Sequence, residues 1–204
     1  PQHVIVVDIS NERLHWVEQV LMPRVAATSP QVYAVLTGPH LPLLPELSSG
    51  RGADDIIVSV GSRAAQNESQ AWLAQAGLFN LFGGLKRGEH MLELDSLRVH
   101  YDEVRIVGSS GGAPADVAEA LRMVAEAEFD PGLHLAMVGS LDQLPKVLRL
   151  VEQQETDGKI VLYPHIQTTE LFVTKNWGMA EEQDFLTCLR DCAPSARGIT
   201  PARG

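Results

Sequence analysis

The chain predicts an α/β protein built on a doubly wound parallel sheet, and three features carry that expectation. Val4–Asp8, VIVVD, sets four β-branched residues in a row, which suits a strand covered on both faces by helices. Strand-like apolar runs then alternate with helical stretches. Four of those runs finish at an acid or at small residues: Asp8, Gly61, Gly83 with Gly84, and Gly108. Ligands of open α/β sheets bind at the carboxyl ends of the strands, so these residues mark one expected rim. The acid of such a strand can accept both hydroxyls of an adenosine ribose, or it can cap the following helix. The glycines can likewise admit a ligand or simply make tight turns.

A length of 204 residues suits one well-filled domain or parts of two. A formal net charge of −10 and a pI near 5.1 argue against nucleic-acid binding, which needs a basic stripe. A bound dinucleotide would lean on backbone N–H groups and helix N-termini instead. No apolar run approaches a membrane span, and the first residues do not read as a signal peptide. Cys188 and Cys192, four apart on a predicted helix, read as reduced thiols rather than a disulfide or metal site, which places the protein in the cytoplasm.

Helical spacing of Leu14, Val17, Leu21 and Val25 predicts a helix over 11–25, capped by Asp8 or Ser10, with its last turn kinked or absent at Pro23. Val32–Leu36 is a short strand. Residues 37–52 read as loop with a turn or two of helix near 43–47. Asp55–Val60 is a buried strand, 62–76 a helix and Leu78–Phe82 the next strand. A polar stretch leads to the strand Val104–Val107 and the turn Gly108-Ser109-Ser110-Gly111-Gly112. Pro114 suits a first helical position, and Val117, Ala120, Leu121 and Val124 make the apolar stripe behind it.

Beyond Phe129, Leu133–Val138 is a predicted strand. Ser140-Leu141-Asp142-Gln143 has capping-box spacing before a helix over 144–153, with Pro145 early enough to be tolerated. Residues 158–163 form a last strand, a short helix covers 181–190, and the tail 193–204 reads as disordered.

The pieces VVDISNERL, RGADDIIVSVG, NLFGGLKRG, HYDEVRIVGSSGGAPADVAEAL and VGSLDQLPKVLRLVEQQETDGKIVLYPHI, in this order, resemble the carboxyl-terminal half of a medium-chain, zinc-type alcohol and polyol dehydrogenase. The resemblance covers residue 3 to about 166. The HYDE block, the GSSGG turn and the YPHI ending look most like the branch that contains L-sorbose 1-phosphate reductase. It implies a partial Rossmann sheet over 1–112, a linking helix and return segment of the catalytic domain over 113–166, and an irregular tail over 167–204.

What the resemblance implies about the site can be carried over position by position. Asp8 matches the acid on the adenosine ribose, favouring NAD over NADP, with Ile9 on the adenine side and Arg13 near the ribose. Val60 and Gly61 match the turn beside the adenosine half. Phe82, Gly83 and Gly84 match the strand end facing the nicotinamide and its ribose. Ser109 and Ser110 match the turn that holds the carboxamide, and Lys159 a basic position on the pyrophosphate. For Lys159 the residues themselves allow equally an exposed lysine opening a strand.

The sequence also departs from that family. It lacks the first strand with its GxGxxG turn, and it lacks the catalytic domain with its Cys, His and acidic zinc ligands. The expectation is therefore a fragment, inactive alone, in which the strands Val4–Asp8 and Asp55–Val60 flank a gap or collapse together. In the family, zinc polarises the substrate oxygen while hydride passes to or from the nicotinamide, so the residues present here orient the cofactor. His100 and Tyr101 precede a strand on the far side from the rim and read as structural; His165 has no assigned role. The implied protein is a homodimer, paired through the strand Val104–Val107, that interconverts a polyol or sugar phosphate with its keto form. The competing readings are a methyltransferase on the same sheet and a nucleotide-binding regulatory or inactive module. Zinc ligands and a GxGxxG encoded upstream of Pro1 would separate them.

Overall fold

The computed structural model describes residues 1–25, 30–36, 41–153, 155–174, 176–191 and 200–201. The chain divides into two compact units, Pro1–Gly111 and Gly112–Gly204.

The first unit opens with β1 (His3–Asp8), which pairs in parallel with β2 (Gln31–Leu36), Asp8 standing opposite Leu36. Between them α1 (Asn11–Trp16) runs through a π-helical turn, Val17–Leu21, into α2 (Met22–Val25). The helix thus survives Pro23. Proline offers no N–H to the carbonyl one turn back, and widening the preceding turn absorbs that loss without ending the helix. Leu14 and Val17 are its buried residues.

After α3 (Leu43–Ser48), a second parallel sheet is formed by β3 (Ala53–Val58), β4 (Leu73–Leu81) and β5 (Arg105–Gly108), in that order. Val58, Leu73, Phe79 and Val104 form its core, with Ile56, Ala65 and Leu81 against them. Among the described residues β1 pairs with β2 and β3 with β4, never with each other. Two parallel sheets therefore stand where a continuous one is expected, and of the two expected outcomes the strands stay apart.

The strand expected as buried over Asp55–Val60 runs over Ala53–Val58 with Ile57 66% exposed, and two further elements of the first unit differ from the sequence expectation. The helix predicted over 62–76 ends early: α4 (Arg63–Glu68) gives way to a 3-10 turn, Ser69–Trp72, and residues 73–77 belong to β4. Ala76 takes a φ of 58° there, and its N–H donates to the Asp102 carbonyl at 2.7 Å. A left-handed residue cannot sit within a right-handed helix, so these tertiary bonds override the helical bias of the alanines. The second is α5 (Ser96–Tyr101), which sequence periodicity missed; Asp95 caps it, accepting from the N–H groups of Leu97 and Arg98.

In the second unit, α6 (Pro114–Ala125) carries Pro114 in its first turn, and Val117, Leu121 and Val124 of its apolar stripe are exposed. A sheet follows in the order β7 (Lys159–Tyr163), β6 (Leu135–Ser140), β8 (Phe172–Val173) and β9 (Thr200–Pro201), with β6 and β7 parallel and the rest antiparallel. The helices α7 (Leu144–Glu152) and α8 (Met179–Asp191) complete it. Leu135, Val138, Phe172 and Phe185 are its core.

The capping box expected at Ser140 does not form. Ser140 is fully buried, its N–H donates to Thr168 Oγ1 at 2.9 Å and its Oγ accepts from the Thr168 N–H at 3.1 Å. A hydroxyl with no access to water must find its partners in the core, and a 3-10 turn over Leu141–Gln143 leads into α7 instead. Of the tail 193–204 predicted to be disordered, Thr200–Pro201 instead pair with β8 as β9, while 193–199 and 202–204 lie outside the described residues, as does Cys192; Cys188 is a free, exposed thiol.

Candidate functional site

At the end of β1, a half-buried strand and not the fully covered one its β-branched run predicts, the chain enters a turn that Asp8 organises. The Ser10 N–H donates to Asp8 Oδ1 at 2.8 Å, and the Arg13 guanidinium donates through Nε to Oδ2 at 3.0 Å and through Nη2 to Oδ1 at 2.8 Å. The helix cap is Ser10, whose Oγ accepts from the Arg13 N–H at 3.2 Å. Asp8 is thereby left free of the capping role. Its partial burial alone would raise its pKa. The hydrogen bonds and charge of Arg13, with the N–H groups of Ser10 and Ile9, outweigh that and hold it below the usual carboxylate value. Asp8 is therefore an anion at neutral pH, oriented by its own turn. Ile9, next along, is 76% exposed.

At the ends of β3 and β4 the controlling quantity is distance. A Cβ on Gly61 would lie 2.6 Å from the Gly84 carbonyl oxygen, and one on Gly83 would run into the Val60 backbone. The Phe82 and Gly83 N–H groups both donate to the Val58 carbonyl, at 3.2 and 2.7 Å. Two turns are thus packed backbone to backbone, and the tight-turn explanation accounts for Gly61 and Gly83. Gly84 is different, since a Cβ there would meet nothing within 4 Å. Val60 and Phe82 flank these turns with 53% and 56% of their surface exposed.

Ser109, just past β5, donates from Oγ to Asn80 Oδ1 of β4 at 3.2 Å, which ties the third strand end to the second; Ser110 is exposed. Val60, Gly61, Phe82, Gly83, Gly84 and, through Asn80, Ser109 are therefore brought to the carboxyl ends of one sheet. Asp8, Ile9 and Arg13 form a separate group at the carboxyl end of the other. Lys159 belongs to the second unit, where it opens β7 opposite Leu135, at the amino end of that strand.

Sequence reasoning named no role for Gln66. It is 2% exposed, and its Nε2 donates to the Gly83 carbonyl at 2.7 Å and, more weakly, to the Val60 carbonyl at 3.4 Å. The available signal was a polar residue on the buried face of α4, beside Ala65 and one turn from Ser69. His100 and Tyr101 lie on α5, away from the strand ends, in edge contact with ring centroids 4.6 Å apart; His165 is exposed. Among the described residues no group of three or more His, Cys, Asp or Glu side chains can hold a metal ion.

Parallel strands alternating with helices make the first unit an α/β layer of the Rossmann type. Residues 2–126 match the family of zinc-binding dehydrogenases, and the chain belongs to that family. It is 27% identical over 192 residues to the mannitol-1-phosphate 5-dehydrogenase of Aliivibrio fischeri, covering 92% of this chain and 45% of that protein. It is 31% identical over 152 residues to the uncharacterized protein YggP of Escherichia coli, covering 72% and 36%. The chain thus spans less than half the length of these curated relatives. In fold it is similar to the alcohol dehydrogenase of Aeropyrum pernix, with a TM-score of 0.60, 24% identity and coverage of 79% of this chain and 42% of that one. It is also similar to a short chain alcohol dehydrogenase, rspB, of Escherichia coli in complex with NADH, with a TM-score of 0.63, 17% identity and coverage of 79% and 45%.

Proposed function

We propose that this chain is the dinucleotide-holding part of a zinc-dependent NAD(H) oxidoreductase that interconverts a polyol or sugar phosphate with its keto form. The observation that carries the reading is the pre-oriented Asp8 carboxylate at the carboxyl end of β1. An anion there accepts from a ribose diol and repels a 2′-phosphate, which favours NAD(H) over NADP(H). Exposed Ile9, Val60 and Phe82 supply apolar surface for flat rings, Gly84 leaves room above its backbone, and Ser109 and Ser110 offer the next turn to the carboxamide. Arg13 is the cation beside the ribose. Lys159 is assigned to the pyrophosphate on family resemblance alone.

Among the described residues no His, Cys, Asp or Glu cluster suits zinc, and this reading assigns the residues at the strand ends to the nucleotide and to no acid, base or metal step. When bound, the nicotinamide supplies the hydride chemistry. What these residues contribute is position: a reactant held in one pose removes much of the entropic barrier. The similarity to a mannitol-1-phosphate dehydrogenase supports the sugar-phosphate class. The β5 edge, with all four residues exposed, supports pairing of two copies along that strand in a homodimer, and the reduced-thiol reading supports a cytoplasmic setting.

The test is dehydrogenase activity of the full-length gene product with hexitol phosphates and NAD. Reduction of NAD with a phosphorylated polyol, and slower turnover of the unphosphorylated one, is expected. Binding of nucleotide without any oxidation of alcohols would favour the regulatory reading.

A further inference from the structure

Gln66 reaches both glycine turns of the β3–β4 rim through its side-chain amide, and we propose that it is a positioning residue for the bound dinucleotide. The inference rests on the cofactor reading above and goes beyond it, because the turn at Val60–Gly61 is assigned to the adenosine half and the turn at Phe82–Gly84 to the nicotinamide half. One amide group spans the two. Its Nε2 carries two protons, and the two carbonyls within reach, Gly83 at 2.7 Å and Val60 at 3.4 Å, are the two it can serve.

Helix α4 brings the side chain there. Ser62 caps the helix by accepting from the Ala65 N–H at 3.3 Å, and Gln66 follows on the buried face with its own N–H on the Ser62 carbonyl at 3.0 Å. Burying an amide is costly unless it is bonded, so a glutamine at 2% exposure is held in place by those two carbonyls.

The consequence for the rim follows from peptide geometry. In a trans peptide the N–H points opposite to the C=O. Drawing the Val60 and Gly83 carbonyls toward Gln66 therefore turns the N–H groups of Gly61 and Gly84 away from α4. Among the described residues neither N–H has a protein acceptor. Gln66 thus sets the relative placement of two turns and leaves a free donor on each, so that a ligand spanning both halves meets a fixed spacing. A ligand confined to one half does not need it.

The experiment compares NADH and AMP binding to the full-length gene product and to Gln66→Met, which keeps length and apolar bulk but cannot donate. NADH affinity is expected to fall about tenfold, while AMP affinity stays within about twofold. Unchanged NADH affinity overturns the proposal, and so does an equal loss for both ligands, which would mark a merely structural role. If the unsubstituted protein binds AMP and NADH but Gln66→Met matches it, the cofactor reading stands and this one falls; if it binds neither, both fall. Should the methionine variant not fold, Gln66→Asn, one methylene too short to serve both carbonyls, carries the same expectations. Hydrogen exchange on the unsubstituted protein is an independent check: NADH should slow exchange at 60–62 and 83–85 together, and protection of one turn alone contradicts the clamp.

Discussion

The two units end their parallel strands in opposite ways. In the first, the strand ends at β1, β3 and β4 leave Ile9, Val60 and Phe82 exposed beside bare backbone. In the second, the ends of β6 and β7 are closed. Ser140 is sealed against Thr168, and Tyr163 packs on Phe185 at 5.9 Å between ring centroids while its hydroxyl donates to Glu182 of α8 at 2.5 Å. Phe185 also meets Phe172 and Trp177 edge-on, at 5.5 and 5.6 Å. Among the described residues the same sheet edge is open in one unit and a packed core in the other, where a helix covers it.

The largest effect that sharpens this contrast lies within the open rim. Gly83→Ala should cost about 2–3 kcal/mol, because the new methyl would meet the Val60 backbone, which cannot yield as a side chain can. Gly84→Ala, into open space, should stay within about 0.5 kcal/mol. Denaturant titration of both variants checks this, and equal costs would break the distinction between packed and open glycines. Next in size is Phe82→Ala. Since Phe82 is more than half exposed, its loss should leave the melting temperature nearly unchanged yet weaken NADH binding by about fivefold, read by fluorescence titration.

The smallest effect concerns the closed edge. Burial first, then the hydrogen bond and charge of Glu182, push the Tyr163 hydroxyl up to about 12. A raised folded-state value means that this contribution to stability is complete below pH 10 and is lost as pH rises through 12. Absorbance titration of tyrosinate should show one of the three tyrosines ionising late, and Tyr163→Phe should remove that phase.

Much of this was legible in the sequence, for physical reasons. The β-branched runs at 4–7 and 56–58 announced β1 and β3, and the glycines after them marked the turns. Residues 73–77 were not legible, because their alanines favour helix locally and only the tertiary bond from Ala76 to Asp102 shows them to be strand. Helix α5 escaped for a similar reason: the Arg98 guanidinium docks it by donating to the Gln70 and Leu73 carbonyls, each at 2.6 Å. Strand β8, two residues long, has no periodicity to read. In the site, Asp8 and the glycines were visible by residue type, whereas the link between Gln66 and two distant carbonyls exists only once the chain has folded.

The most direct test of the central claim is the affinity of NADH and NADPH for the full-length gene product with Asp8→Gly. Removing the carboxylate should weaken NADH binding by about tenfold or more, through lost charge-assisted bonds to the ribose, while NADPH binding holds or improves. NADH affinity equal to that of the unsubstituted protein would contradict the assignment of the β1 rim to the adenosine ribose, and with it the cofactor reading of this chain.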